Sequence, residues 1–152
     1  MIDQIVVRTG QDADTAALVD FNMAMARETE QKELARDIVY AGVSTALSNS
    51  HHGFYVVAEK QGKIAGSLMV TKEWSDWRNG EFWWIQSVYV RPAFRRQGVY
   101  RKLYEFLRAM ATENGNVCGF RLYVEQANAV AQQTYRNLGM EETIYRMFED
   151  DL

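Results

Sequence analysis

The chain has 152 residues, of which 47% are hydrophobic and 24% are charged. This composition is typical of one globular domain with a substantial core, so we expect a single domain over residues 1–152. The net charge of −3 and the pI near 5.4 provide no overall field that would attract nucleic acid or an anionic membrane. A single cysteine, Cys118, excludes an intrachain disulfide and a cysteine cluster for a structural metal.

These features predict a cytoplasmic protein without a metal and without nucleic-acid or membrane partners. No apolar run approaches the roughly 20 residues that span a bilayer. Charged residues at positions 3, 8, 12 and 14 interrupt the region where a signal peptide would carry its apolar core, so we expect no export.

The N-terminal third predicts one short strand followed by two helices. The strand covers residues 5–7, and Asp12 or Asp14 is expected to cap the first helix. A second helix is expected over residues 37–47, because apolar residues recur there at steps of four. The apolar positions are Leu18, Phe21 and Met25 in the first helix and Val39, Val43 and Leu47 in the second.

The middle of the chain predicts three antiparallel strands. Residues 54–59 and 63–71 are rich in β-branched and aromatic side chains, and Gln61-Gly62 forms a tight-turn pair between them. Asn79-Gly80 is a second turn pair, because both residue types tolerate positive φ, and it leads to a third strand over residues 81–90.

The C-terminal third predicts helix, strand, helix and strand in succession. The first helix covers residues 95–112 and stops at Asn114-Gly115, and a strand is expected over residues 120–125. A helix over residues 128–138 and a final strand over residues 143–148 follow. The whole pattern predicts an α/β fold with a mixed, mostly antiparallel sheet and about four helices.

The junction between the third strand and the next helix has the character of an anion site. The first turn of a helix presents unpaired N–H groups and the positive end of the helix dipole. Gly98 lets a ligand approach the backbone closely, and Arg95 and Arg96 add positive charge to an acidic chain. This favours a diphosphate ligand, and the alternative is a solvated helix start.

Two sequence blocks resemble the GCN5-related N-acetyltransferase family. Residues 95–100, Arg-Arg-Gln-Gly-Val-Tyr, are similar to the family's phosphate loop Gln/Arg-x-x-Gly-x-Gly/Ala, with Tyr100 in place of the small last residue. The strand exit at residues 88–92 also matches. The second block is similar to Asn-x-x-Ala-x-x-x-Tyr-x-x-x-Gly-Phe and consists of Asn128, Ala131, Tyr135 and Leu138-Gly139-Met140. The resemblance is weakest over residues 1–52.

The resemblance implies an N-acetyltransferase that uses acetyl-CoA and a primary amine, and it assigns roles to individual positions. Tyr135 would protonate the leaving thiolate, although it could instead be a core aromatic residue. A backbone N–H at a β-bulge near residues 87–89 would polarise the acetyl carbonyl. The implied cofactor-binding residues are Val88, Tyr89, Val90, Arg95, Arg96, Gln97, Gly98, Val99, Tyr100, Arg101 and Asn128.

The acceptor side has no motif. Direct attack by an amine requires a base, and we expect Glu81 to serve first and Glu28 second. Glu28 and Trp84 are expected to contact the acceptor, Trp84 as part of an aromatic wall for a cation, although tryptophans in a hairpin more often pack the sheet.

Tyr100 leaves a second interpretation open. A bulky residue at the last loop position is also consistent with a non-catalytic acyl-CoA-binding sensor or interaction module. Exposed edge strands and abundant aromatic residues predict a homodimer. The identity of the acceptor does not follow from the sequence.

Overall fold

The computed structural model describes residues 4–152, which contain five strands and four helices. A 3₁₀ turn precedes each of the first and third helices. The elements in chain order are β1 (Val6–Thr9), α1 (Thr15–Glu30), α2 (Arg36–Ser48), β2 (Phe54–Lys60), β3 (Lys63–Ser75), β4 (Gly80–Val90), α3 (Val99–Asn114), β5 (Val117–Arg121) and α4 (Ala129–Asn137). The chain forms two units: one ends at Leu122 and holds all five strands, and the other, residues 123–152, holds α4.

The five strands form one sheet in the order β1-β2-β3-β4-β5. Neighbouring strands are antiparallel except β4 and β5, which are parallel. The predicted hairpin between β2 and β3 is confirmed, since Gln61 and Gly62 both have positive φ, 55° and 71°. The turn before β4 covers residues 76–79, and only Asn79 has positive φ, because Gly80 already belongs to the strand.

Helices cover both faces of the sheet. Side chains alternate along a strand, so Tyr55 and Val57 on β2 share one face and Val56 lies on the other. Tyr55 and Val57 pack against buried residues of α1 and α2. Helix α3 lies against β2 and β3 on the opposite face with its buried residues Val99 and Leu103. We call these the α1–α2 face and the α3 face. Within residues 4–152, no helix is long and apolar enough to cross a bilayer.

The first helical region differs from the prediction in its cap. Asp14 does not cap α1 through its side chain, because its carboxylate accepts hydrogen bonds from the Gln11 N–H at 2.7 Å and from Arg8. Strand β1 extends to Thr9 instead of ending at residue 7, and α1 continues to Glu30, so Glu28 lies in its last turn. The second predicted helix is confirmed as α2.

Helix α3 begins at Val99 and not at residue 95. Arg96 and Gly98 adopt left-handed φ values of 61° and 81°, which a right-handed helix cannot include. The loop is therefore irregular until the helix starts. The predicted stop is confirmed, because Gly115 has φ 79° and its N–H bonds to the Ala111 carbonyl.

The end of the chain departs most from the sequence pattern. Strand β5 covers Val117–Arg121 instead of residues 120–125, while the predicted α4 is confirmed. The strand expected over residues 143–148 is absent from the described structure, and Ile144 and Phe148 are 93% and 92% exposed. An alternating apolar pattern forms a strand only when a neighbouring strand satisfies its backbone groups, and this segment pairs with none.

Candidate cofactor and acceptor site

Strand β4 contains a β-bulge at its C-terminal end. Ser67 pairs with Tyr89 and Met69 pairs with Gln86, so Leu68 faces both Ser87 and Val88. Ser87 has φ 50°, which is the left-handed conformation of the extra residue. The bulge lies where the sequence analysis expected it.

Beyond the bulge, β4 has one edge without a strand partner. Arg91 N–H donates to the Ala65 carbonyl at 2.8 Å, and antiparallel pairing alternates, so the backbone groups of Tyr89 point toward β3. The backbone N–H and C=O groups of Val88 and Val90 therefore point away from β3. Within residues 4–152 the pairing of β4 with β5 ends at Trp84, which leaves the Val88 groups without a strand partner.

The loop between β4 and α3 presents backbone amides next to open space at Gly98. The first bond of α3 runs from Lys102 N–H to the Gly98 carbonyl at 3.0 Å, so the preceding amides have no partner inside the helix. Apart from the adjacent backbone, a Cβ on Gly98 would have no heavy atom of the described chain within 4 Å. Gln97 is anchored at the side, where its side-chain oxygen accepts from Lys60 Nζ at 2.5 Å.

Tyr100 packs along α3, beside Tyr104. Its ring centroid lies 6.4 Å from that of Tyr104, and the Tyr104 ring is 5.6 Å from that of Phe120. The bulky residue at the last loop position is thus part of an aromatic row between α3 and β5.

The two loop arginines have different surroundings. Arg95 Nε donates to the Val90 carbonyl at 2.8 Å, Nη2 donates to Glu28 Oε2 at 2.8 Å, and the guanidinium lies over the Tyr89 ring. Arg96 is exposed. The side chain of Arg95 therefore connects the end of α1 to the end of β4, and Arg96 presents its charge to solvent.

Glu28 lies beside the bulge. Its Oε1 accepts from the Tyr89 hydroxyl at 3.1 Å, and Tyr89 itself is buried against Phe21, with ring centroids 5.1 Å apart. Burial and the neighbouring Glu28 carboxylate raise the pKa of the Tyr89 phenol, because both disfavour the phenolate. Tyr89 is thus a neutral donor to Glu28.

Glu81 lies on the α3 face at the opposite end of β4. Its Oε1 accepts from Trp83 Nε1 at 3.0 Å, and the Trp83 ring packs against Phe54 with centroids 5.1 Å apart. Six residues separate Glu81 from Ser87, which is about 20 Å along a strand. The structure therefore brings Glu28 to the bulge and keeps Glu81 away from it.

Trp84 lies on the α1–α2 face and reveals two residues that the sequence analysis missed. Trp84 Nε1 donates to Glu73 Oε1 at 2.7 Å, and Arg121 Nη1 donates to the same oxygen at 2.9 Å. These two donors lower the pKa of the Glu73 carboxyl. The predicted β3–β4 hairpin could have identified Glu73 from the sequence, because its register places Glu73 and Trp84 on one face.

The unit of residues 123–152 carries the remaining two candidates. Asn128 Oδ1 accepts from the Ala131 N–H at 3.1 Å, so its side chain caps α4. Tyr135 is half-buried on α4, and this burial raises the pKa of its phenol. Residues 4–152 contain no group of three or more histidine, cysteine or acidic side chains arranged to hold a metal ion.

The bulged β4 and the loop before α3 are the features of the acyltransferase class that the sequence blocks resemble. Residues 15–140 match the model of the acetyltransferase (GNAT) family. The chain therefore belongs to the GNAT family. No curated protein matches it significantly in sequence.

Solved structures share this fold over nearly the whole chain. A "possible acetyltransferase" from Clostridium difficile 630 is 40% identical, with a TM-score of 0.91 and 97% of each chain covered. A "predicted acetyltransferase with acetyl-CoA" from Clostridium acetobutylicum is 17% identical, with a TM-score of 0.78 and coverage of 97% and 96%. An aminoglycoside acetyltransferase from an uncultured soil metagenomic sample, in complex with sisomicin, is 15% identical, with a TM-score of 0.77 and 97% of each chain covered.

Proposed function

We propose that this protein transfers the acetyl group of acetyl-CoA to a primary amine by direct attack of the amine on the thioester. The observation that carries the proposal is that β4, which within residues 4–152 has no strand partner on one side at Val88, leads directly into a loop with open space at Gly98 and helix-start amides that have no partner inside α3. One acetyltransferase structure of the same fold is described with acetyl-CoA, and an aminoglycoside acetyltransferase of this fold is in complex with sisomicin. Both ligands fit this reaction.

The chain offers distinct groups to the two parts of the coenzyme. The amides at the start of α3, within the loop of residues 95–101, would bind the diphosphate, and Arg96 would add charge. The backbone of Val88 and Val90 would pair with the amides of the pantetheine arm, much as another strand would. Asn128, whose side-chain oxygen caps α4, would donate its NH₂ group to the same arm.

The bulge supplies the group that stabilises the oxyanion. Tyr89 directs its backbone N–H to β3, whereas the Val88 N–H points to the other side and would donate to the acetyl oxygen. As the amine forms its bond to the carbonyl carbon, the carbon–sulfur bond breaks and the thiolate takes a proton. Tyr135 would donate that proton, since a phenol is protonated at neutral pH and burial raises the pKa of Tyr135 further.

The attacking amine must lose a proton before or during the reaction. A carboxylate acting through water would accept it. Glu28 and Glu81 remain the two candidates, and the position of Glu28 beside Tyr89 supports Glu28. Glu28 and Trp84 lie on the same face as α1 and would contact the acceptor.

The proposal is tested by binding and by turnover. Acetyl-CoA at 100 times its Kd should stabilise the fold by about 2.7 kcal/mol, measured as a rise in Tm. Thiol release should occur with members of an amine panel, and Tyr135→Phe should lower kcat roughly 100-fold or more with little change in Tm. Absence of any Tm shift with CoA esters would overturn the proposal.

Binding without turnover would support the alternative of an acyl-CoA sensor. In that case acetyl-CoA raises Tm, yet no amine releases thiol and Tyr135→Phe changes nothing measurable. The packing of Tyr100 beside Tyr104 and the open space at Gly98 support the enzyme over this alternative.

A further inference from the structure

The α1–α2 face carries a cluster of four residues, of which the proposed function assigns a role only to Trp84. Arg121 at the end of β5 lies with its guanidinium carbon 3.7 Å from the centroid of the Phe82 ring. Its Nη1 bonds to Glu73, which is held in turn by Trp84. We call Glu73, Phe82, Trp84 and Arg121 the Arg121 cluster.

The guanidinium of Arg121 is held in one orientation before any ligand arrives. The Phe82 ring supports its flat face, and Glu73 fixes one of its ends. The ring itself has a defined place, because Gly119 leaves room for it: a Cβ on Gly119 would lie 3.2 Å from Phe82 Cε1. Such a fixed guanidinium loses little conformational entropy when it binds a ligand.

One edge of this guanidinium is available. In residues 4–152, Nη1 is the Arg121 nitrogen with a hydrogen-bond partner, and Nε and Nη2 have none. The side chain is only 28% exposed, so these two donors are partly withdrawn from water. Nε and Nη2 form the fork that binds a carboxylate through two parallel hydrogen bonds. Arg78 adds a second guanidinium 5.0 Å from the same ring centroid.

The cluster lies on the acceptor side of β4. Arg121 is in register with Trp84, and Trp84 shares its face with Tyr89, which contacts Glu28. Three residues separate Trp84 from Ser87, which is about 10 Å along the strand. An acceptor that places its amine at the bulge could therefore reach Arg121 with its other end.

We propose that Arg121 binds a carboxylate of the acceptor, so that the acceptor is an amine carrying a carboxylate on the order of 10 Å away. This inference rests on the proposed function. Three extended residues span roughly 10 Å, so a short peptide with free termini has suitable dimensions. Glu73 orients Arg121, because its Oε1 accepts from Arg121 Nη1 and is itself held by Trp84 Nε1.

The experiment compares acids with their primary amides. Triglycine and triglycinamide, and 8-aminooctanoate and its amide, are acetylated by the wild type and by Arg121→Gln. We expect kcat/KM of the wild type to be roughly 10-fold to 100-fold higher for each acid, as charge-assisted paired hydrogen bonds predict. In Arg121→Gln this ratio should fall to about 1, while the amides lose less than about 3-fold and KM for acetyl-CoA is unchanged.

Two further variants separate binding from folding. Arg121→Lys keeps the charge without the fork, so an intermediate ratio is expected. Lys72→Gln removes a charge from the same hairpin on the α3 face and should keep the full acid preference. Equal wild-type rates for acid and amide, or an equal loss for both in Arg121→Gln, would overturn the inference.

A binding measurement keeps this inference distinct from the proposed function. Calorimetry with CoA present compares triglycine with triglycinamide, without any need for turnover. Tighter binding of the acid that is lost in Arg121→Gln supports the carboxylate site even if no amine is acetylated. Equal binding of the two peptides rejects the site even if acetyl transfer is observed.

Discussion

The two ends of α1 each carry a carboxylate paired with an arginine. Near the start, Asp14 is 3% exposed and accepts from both terminal nitrogens of Arg8, at 2.7 and 2.9 Å. Near the end, Glu28 accepts from Arg95 at 2.8 Å, and the two side chains are 41% and 44% exposed.

This difference in burial separates stability from function. A buried carboxylate depends on its partner, because the charge would otherwise lie unpaired in a poorly solvated place. An exposed pair is worth about 0 to 1 kcal/mol, since water screens it. The pair of Glu28 and Arg95 is therefore not explained by stability. It joins α1 to the loop before α3, whereas the pair of Asp14 and Arg8 joins the start of α1 to β1.

The largest effect on stability should come from Asp14, the buried carboxylate at the start of α1. We expect Asp14→Asn to lower the free energy of unfolding by about 3 kcal/mol, because Arg8 loses its two-oxygen acceptor and keeps Glu59 as its remaining acidic partner, and the Gln11 N–H loses a charged acceptor. Denaturant unfolding measures this. The exposed Asp12→Asn is the control, with an expected change within about 0.5 kcal/mol. A loss below 1 kcal/mol for Asp14→Asn would contradict the comparison.

The same pair predicts a pH dependence. Hydrogen bonding to Arg8 holds the pKa of Asp14 below its usual value. The stabilisation is therefore fully present above the unfolded pKa, about 3.9, and is lost as the pH falls through the lower folded pKa. The difference in unfolding free energy between the wild type and Asp14→Asn should stay constant from pH 7 to about 5 and shrink below about 4. A difference that grows in acid would have the wrong sign.

At the exposed C-terminal end of α1, we expect a large effect on activity and a small effect on stability. We expect Glu28→Gln to change the free energy of unfolding by less than about 1 kcal/mol but to lower kcat roughly 100-fold, as loss of a base predicts. Glu30→Gln, exposed in the same helical turn, should retain wild-type kcat. Glu81→Gln is the competing variant: a larger loss of kcat there than in Glu28→Gln would reverse the assignment of the base.

Arg95→Lys should have the smallest effect. Lysine keeps the charge but cannot bond Val90 and Glu28 while lying flat over Tyr89, so we expect KM for acetyl-CoA to rise about 3-fold to 10-fold with Tm nearly unchanged. Arg108 is exposed on α3, and Arg108→Lys is the matched control, which should change neither KM for acetyl-CoA nor Tm. A fall in Tm of several degrees would mean that the exposed pair stabilises the fold after all.

Local sequence signals predicted most of the elements. The Gln61-Gly62 turn, the stop at Gly115 and the helix after Asn128 depend on a few neighbouring residues, and all three are confirmed. The strand expected over residues 143–148 was wrong, because a strand also needs a partner. The start of α3 was predicted four residues too early. The charged residues before Gly98 are compatible with a helical turn, but Arg96 and Gly98 have positive φ values that a right-handed helix excludes.

The candidate site shows the same distinction between local sequence signals and tertiary contacts. The sequence by itself determined the family and predicted the phosphate loop, because the residue types that favour a phosphate lie within six consecutive positions that include Gly98 and two arginines. Only the tertiary structure decided which carboxylate lies at the bulge. Glu28 meets Tyr89 and Arg95 across 61 and 67 residues of chain, and Glu81 is turned to the opposite face by the alternation of one strand. Contacts of that separation depend on how strands and helices pack, and no local pattern encodes them.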